Sequence, residues 1–218
     1  MTEQLLPSVE FVVKTLAHTA IENEKYFGDL DAVVGDGDFG YSLARGFELV
    51  ERDWDSFDRT DASTFLKKVA VVITSRIGGT SGPLWGTAFL RAATVAAGKS
   101  EGDAGTAVAM LRAAIEGIEA RGNASLGDKT LLDALAPATD EIAHQAELGS
   151  DGPTTVRAAA GVARESADET AKLQAKRGRV AYTGERSIGS VDPGAVGVAV
   201  MFEALADTWP AHFEGKTA

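Results

Sequence analysis

Apolar residues recur every three or four positions along almost the whole chain, and that spacing limits the fold more than any other feature. Leu5, Val9, Val12, Val13, Leu16, Ala17 and Ala20 form one stripe, with Thr15, Glu22 and Glu24 off it. Residues so spaced share one helix face, which is buried only against other apolar faces. The stripe predicts a helix of about 20 residues ending near Gly28. A second is expected to start near Tyr41, with Leu43, Phe47 and Val50 inward. A third is expected over 62–77, with Phe65, Leu66, Val69, Val72 and Ile73 inward. Its β-branched Val71-Val72-Ile73-Thr74 suits a strand, but the flanking spacing is helical. Further helices are expected over 84–97, 104–121, 131–148, 154–173 and 193–213, eight in all. Pro83 and Pro193 suit helix first turns. Gly98, Gly149 and Gly152 suit helix ends. No segment alternates as a strand does, and no repeat or low-complexity linker divides the chain. One all-α domain over residues 1–218 is expected.

The 218 residues are 44% hydrophobic, enough for a sizeable core. With 21 basic and 32 acidic residues the net charge is −11, which argues against nucleic acid or an anionic membrane as partner. A nucleotide stays possible, because bound metal ions reverse a local field. The absence of cysteine excludes disulfides and thiolate chemistry. Met1-Thr2-Glu3-Gln4 has no signal-peptide character, and no apolar run reaches the ~18 residues of a membrane span. A soluble, cytoplasmic protein is expected.

Asp31-Ala-Val-Val-Gly35-Asp36-Gly37-Asp38-Phe39-Gly40 places three carboxylates within eight residues. They repel one another unless a cation lies between them, and a hard ion such as Mg²⁺ takes oxygen ligands while leaving room for phosphate. Gly35, Gly37 and Gly40 argue against a helix interior here and for a sharply folded loop. Most Asp-Gly clusters are solvated turns, so specific motifs must be weighed. An EF-hand loop counted from Asp36 needs glycine where Tyr41 stands and glutamate where Phe47 stands. Gly35-x-Gly37-x-x-Gly40 matches the dinucleotide fingerprint in form, but its two aspartates would repel a pyrophosphate and no βαβ pattern follows. A loop that binds phosphate through metal ions remains.

Four loops rich in glycine and small polar residues, 35–42, 78–82, 122–130 and 177–194, would meet at one end of a bundle whose helices alternate up and down. Gly78-Gly79-Thr80-Ser81-Gly82 offers backbone N–H groups and hydroxyls before a helix, either a phosphate cradle or a flexible turn. Gly127-Asp128-Lys129-Thr130 reads as a helix N-cap through Asp128 or Thr130. Residues 178–189, with Arg179, Glu185 and Arg186, have no helical period, and Asp192-Pro193-Gly194 opens the last helix.

Taken in order, Gly-Asp-Gly-Asp-x-Gly at 35–40, Gly-Gly-Thr-Ser-Gly-Pro at 78–83, Gly-Asp-Lys-Thr at 127–130, and Gly-Glu-Arg-Ser-Ile-Gly with Asp-Pro-Gly at 184–194 make the chain resemble the nucleotide-binding L subunit, or L domain, of dihydroxyacetone kinases. The resemblance implies a closed barrel of eight antiparallel amphipathic helices with the nucleotide in loops at one rim. It implies that Asp31, Asp36 and Asp38 hold two Mg²⁺ ions and that Arg179 neutralises phosphate charge. Nucleotide contacts, to ADP or ATP, would come from Phe39, Gly40, Tyr41, Ser42, Thr80, Ser81, Gly122, Leu131, Arg179, Asp192, Pro193 and Gly194. Leu131 would lie against the adenine and Gly122 would admit the base. The ketose would sit on a histidine of a separate K-type subunit, and a phosphocarrier protein recharges ADP in some members. The chain's own histidines, His18, His144 and His212, fall on helical segments and read as structural. Two positions depart from the family: Phe39 and Ser190 stand where histidine is common. A different class, a non-catalytic regulatory or lipid-binding barrel, would not need three metal-ligating carboxylates, and a purely structural bundle would bind no nucleotide.

Overall fold

In the computed structural model, which describes residues 3–33, 35–79 and 81–214, the apolar stripes face one another around a closed ring. The described residues form nine α-helices: α1 (Leu5–Glu22), α2 (Glu24–Ala32), α3 (Phe39–Arg52), α4 (Ala62–Arg76), α5 (Ser81–Ala96), α6 (Ala104–Gly122), α7 (Leu132–Glu147), α8 (Gly152–Glu169) and α9 (Pro193–Glu214). Helix α1 packs on α3, α3 on α4, and so on pairwise to α9, which returns to α1. Eight helices therefore close the barrel, as expected. The ninth is α2, which packs mainly on α3. The first expected helix divides at Asn23 (φ −99°, ψ 15°), whose side-chain amide donates to the Thr19 carbonyl at 2.9 Å, a local bond that competes with helix continuation. Helix α2 then runs through Gly28 and carries Asp31 in its last turn. Gly40, expected in a loop, is the second residue of α3.

The segment at 71–74 is helical, inside α4. Two-residue strands β1 (Glu3–Gln4) and β2 (Glu101–Gly102) pair antiparallel and pin the chain start beside the α5–α6 connection, where the Leu5 amide also donates to the Ser100 carbonyl at 2.9 Å. Asp61, Asp103 and Asp151 cap α4, α6 and α8 by accepting from amides three residues on, at 2.7–2.8 Å.

Aromatic, branched aliphatic and small side chains fill the barrel, with Leu43, Val50, Val69 and Ile73 fully buried. Phe47 meets Trp85 and Phe89 edge-to-face, with centroids 6.5 and 6.4 Å apart, and Trp54 meets Phe65 at 5.3 Å. Toward α8 and α9 the core is largely alanine: Ala159, Ala163, Ala167, Ala195 and Ala199 have no exposed surface. Such small residues let helix axes approach closely. The connections 33–38, 77–80, 123–131 and 170–192 join alternate helix pairs of the ring, so they share one rim. No helix among the described residues is long and apolar enough to cross a membrane.

Candidate functional site: a carboxylate cluster beside an apolar cleft

The carboxylate cluster is built where α2 ends and α3 begins. After α2 the Gly35 amide folds back onto the Asp31 carbonyl at 2.6 Å. A Cβ on Gly35 would lie 2.3 Å from Asp31 Oδ1, so glycine is required for this approach. Gly37 has φ 76°, in the left-handed region. Asp38 then precedes α3, whose first amide, that of Phe39, donates to Asp31 Oδ2 at 3.3 Å. Asp31, Asp36 and Asp38 each bring a carboxylate oxygen within 4.8 Å of the others, Asp31 half-buried and the other two exposed. From the opposite loop, the Arg179 guanidinium pairs with Asp36 and reaches Asp38 Oδ2 at 3.5 Å. Three all-oxygen donors on a tight turn, open on one side, fit a hard divalent ion that keeps positions free for phosphate.

Beside the cluster lies a cleft of about 340 Å³, lined by Gly79, Leu84, Ile118, Gly122, Leu131 and Gly178 among others. It brings together three of the four loops singled out in the sequence. Gly122 and Leu131 both face it. A Cβ on Gly122 would stand 3.2 Å from Leu84 Cδ2, so a side chain there would fill the floor. Gly194 backs onto Leu131, its would-be Cβ 3.2 Å from Leu131 Cβ. Pro193 is buried as the first residue of α9. Asp192 caps that helix, accepting from the Ala195 amide at 2.8 Å, while its own amide donates to Thr170 Oγ1 at 2.8 Å. Burial, with Asp133 adding repulsion, pushes the Asp192 carboxyl up to about 7, against the Ala195 amide and Lys129.

The remaining expected contacts divide. Ser42 on α3 faces the 78–82 loop: a Cβ on Gly78 would be 3.7 Å from its Oγ. Ser81 starts α5, and Thr80 lies outside the described residues. Tyr41 is exposed, stacked under Arg45 at 5.3 Å, and lines a separate open groove with Glu24, Lys25 and Asp29. Gly40 is pressed against α2. The Phe39 ring turns inward, 5.9 Å from the Phe27 ring and close to Gly197, so this residue presents its backbone, not its ring, to the carboxylates. Ser190 Oγ donates to the Ser187 carbonyl at 3.0 Å.

Of the two expected caps, Thr130 serves α7: its Oγ1 accepts from the Leu132 amide at 3.2 Å, and Leu131 after it already has helical angles (φ −54°, ψ −24°). Asp128 is instead buried. It accepts from the Ser125 amide at 3.1 Å and pairs with Lys176 and Arg177 at 3.3 and 3.0 Å. Burial opposes its ionisation, yet these partners hold its carboxyl below the usual range. Asp133 accepts from the Gly127 and Thr130 amides at 2.5 and 2.7 Å. Sequence reasoning also missed Lys129, whose side chain is buried among backbone carbonyls. The Gly-Asp-Lys-Thr spacing showed a turn but gave no sign of partners so far along the chain. His18 pairs with Glu22 at 3.1 Å on α1, and His144 lies in the last turn of α7; the His212 side chain lies outside what is described.

Residues 33–207 match the family model described as the DAK2 domain. The chain is 36% identical over 187 residues to the ADP-binding subunit of PEP-dependent dihydroxyacetone kinase 1 from Listeria innocua, covering 86% of this chain and 88% of the relative. It is 36% identical over 182 residues to the corresponding Escherichia coli K12 subunit, covering 84% and 87%. It is also 37% identical over 198 residues to L-erythrulose 1-kinase of Mycolicibacterium smegmatis, covering 90% of this chain but only 34% of that kinase. Among solved structures, the C. freundii dihydroxyacetone kinase in complex with AMP-PNP and Mg²⁺ superposes with a TM-score of 0.74 at 25% identity, over 93% of this chain and 34% of that one. With a family match over most of its length and subunit relatives of its own size, the chain belongs to the DAK2-domain family, among the nucleotide-binding L subunits of dihydroxyacetone kinases.

Proposed function

We propose that this chain is the nucleotide- and Mg²⁺-binding subunit of a cytoplasmic kinase for dihydroxyacetone or a related small ketose, the ketose being held by a separate K-type subunit. The observation that carries this reading is the convergence of Asp31, Asp36 and Asp38 within 4.8 Å, faced by Arg179, beside an apolar cleft of about 340 Å³. It is supported by relatives of similar length that are ADP-binding subunits of dihydroxyacetone kinases, by longer relatives that are erythrulose kinases, and by a neighbour solved with AMP-PNP and Mg²⁺.

In this reading the cleft takes the adenine, with Leu131 against one face and Gly122 leaving room for it. Asp31, Asp36 and Asp38 would hold two Mg²⁺ ions, which draw charge off the β- and γ-phosphates when bound. Ser42, Thr80, Ser81 and the start of α5 offer hydroxyls and N–H groups to the phosphates. Arg179 adds the positive charge the protein itself supplies. Phosphoryl transfer passes through a loose transition state, so positioning and electrostatics are the protein's main contribution. The phosphoryl donor is ATP, either exchanged from solution or regenerated in place when a phosphocarrier protein phosphorylates ADP kept as a cofactor.

Thermal denaturation with ADP, with and without Mg²⁺, tests the reading. Ligand at 100 times its dissociation constant adds about 2.7 kcal/mol. That is a rise of about 5–11 °C at roughly 2–4 °C per kcal/mol for a domain of this size. ADP alone should give much less. Equal shifts with and without metal would refute the metal site.

A further inference from the structure

Residues 170–192, between α8 and α9, carry Arg179 and contain only short 3₁₀ turns (Thr170–Lys172 and Arg179–Ser187). A segment this long with no helix or sheet ladder needs something else to satisfy its backbone and fix its shape. The neighbouring dipeptide Asp128-Lys129 does so. Lys129 is 3% exposed. Its Nζ donates to the Leu173 carbonyl at 3.2 Å, to the Ser190 carbonyl at 2.6 Å and to the Ser187 carbonyl. One of these lies where the loop leaves α8 and two where it returns to α9, so the ammonium ties the ends together. An ammonium has three donors. All three are used, and none is left for a phosphate.

Asp128 holds the outgoing arm from the next position. Its carbonyl accepts from the Lys176 amide at 3.0 Å, and its carboxylate pairs with Lys176 and Arg177. Lys129 itself has φ 63°, a left-handed conformation uncommon for a non-glycine residue. Buried Ser187 completes the closure, accepting from the Ala175 amide at 2.9 Å and donating to the Gly184 carbonyl at 2.6 Å. Arg179 therefore projects from a loop pinned at both ends, and its guanidinium meets Asp36 and Asp38 across the rim.

We propose that Lys129, assisted by Asp128, is the positioning residue for Arg179: it controls nucleotide binding by setting the 173–190 loop, without touching the nucleotide. The proposal rests on the functional reading of Arg179 given above. A methionine of similar length would fill the same space, so a buried cation here is not explained by packing. It is explained by three carbonyls that need donors from one point.

The full chain carrying Lys129→Met, Arg179→Ala or both is titrated with ADP and Mg²⁺ by calorimetry, and amide exchange is followed by mass spectrometry. Lys129→Met should keep its helical circular dichroism, speed exchange over 174–190, and weaken binding about tenfold or more, equivalent to about 1.4 kcal/mol. The double variant should bind no worse than the weaker single one, because a residue acting through another gives non-additive losses. Lys129→Arg, which keeps a cation with donors, should recover part of the affinity. Losses that multiply, wild-type affinity in Lys129→Met, or collapse of the barrel in that variant would each overturn the proposal. The failures are separable: wild-type affinity in Arg179→Ala would defeat the functional reading of the arginine, whereas unchanged exchange over 174–190 in Lys129→Met would defeat the clamp.

Discussion

Replacing Gly40 by alanine should destabilise the protein, although helix propensity alone argues the opposite. Gly40 lies in the first turn of α3, and alanine in a helix interior is favoured over glycine by up to about 1 kcal/mol. The packing reverses that sign. A Cβ at Gly40 would lie 2.0 Å from the Glu24 carbonyl oxygen and 2.6 Å from the Gly28 amide nitrogen, both backbone atoms of α2. No rotamer change relieves a backbone contact, so α2 must move by about 1.4 Å to restore an ordinary contact of 3.4 Å. Overpacking of this kind costs about 1–3 kcal/mol, a fall in Tm of roughly 2–12 °C at about 2–4 °C per kcal/mol. Because α2 carries Asp31 while Asp36 and Asp38 lie toward α3, the same displacement should open the cluster and weaken Mg²⁺-dependent ADP binding. Gly161 on α8 is the control: nothing lies within 4 Å of its would-be Cβ, so Gly161→Ala should be neutral or stabilise by up to about 1 kcal/mol. Thermal denaturation of the two variants side by side, with calorimetric titration of ADP and Mg²⁺, decides the matter. A Gly40→Ala protein as stable as wild type, with unchanged affinity, would refute the inference that α2 positions Asp31 through this contact.

Asp36→Ala and Asp38→Ala should abolish Mg²⁺-dependent ADP binding while leaving thermal stability in the absence of ligand at or above wild type, because both side chains are exposed and serve no core; calorimetry and unliganded melting curves check both halves. Phe39→His should lower stability by about 1–3 kcal/mol, since a polar ring replaces one packed on Phe27, yet leave ADP affinity near wild type, because the group facing Asp31 is the backbone N–H; a large change in affinity in titration would show that the ring serves the ligand. Asp192, raised from an ordinary 3.8 to about 7, holds a proton in the folded state that the unfolded chain has released, so its contribution to stability is greatest at low pH and is lost as pH rises from about 4 to about 7. Asp192→Asn should flatten stability against pH across that window in denaturant titrations, and identical slopes in the two proteins would show that the carboxyl is ionised throughout.

The barrel was legible because its signals are local. Apolar spacing marks each inward face, and Pro83 and Pro193 fall in the first turns of α5 and α9. The carboxylate cluster was legible for the same reason: its three members lie within eight residues. What escaped was whatever depends on a partner distant in the chain. Asn23 divides the first helix with no glycine or proline to announce it. Gly40 looked like a helix breaker, because the backbone of α2 that requires it is invisible without the fold. Lys129 looked like part of a capping turn, whereas its acceptors stand 44 to 61 residues further on. Phe39 could face the phosphate or the core on sequence grounds, and the Phe27 ring and Gly197 decide for the core.

Charge at the rim explains why metal and nucleotide should bind together. Asp31, Asp36 and Asp38 bring three negative charges, and Arg179 returns one. Lys129 is committed to three carbonyls and Lys176 and Arg177 to Asp128, while Arg121 lines the cleft and not the cluster. The cluster therefore stays net negative and would repel a diphosphate. At about 4 Å and an effective dielectric of about 20, each unscreened pair of like charges costs about 4 kcal/mol, more than an apolar cleft readily offsets. Two divalent ions, as proposed, reverse the sign and turn that repulsion into attraction. They also displace the need for Arg179 to neutralise Asp36 and Asp38, leaving the guanidinium available to a phosphate. In the proposed reading, adenine recognition by the cleft and phosphate recognition by the rim would thus be coupled through the carboxylates. The same argument gives the low affinity expected of ADP without Mg²⁺, and it predicts that raising ionic strength should narrow the difference between the two conditions by screening the exposed aspartates.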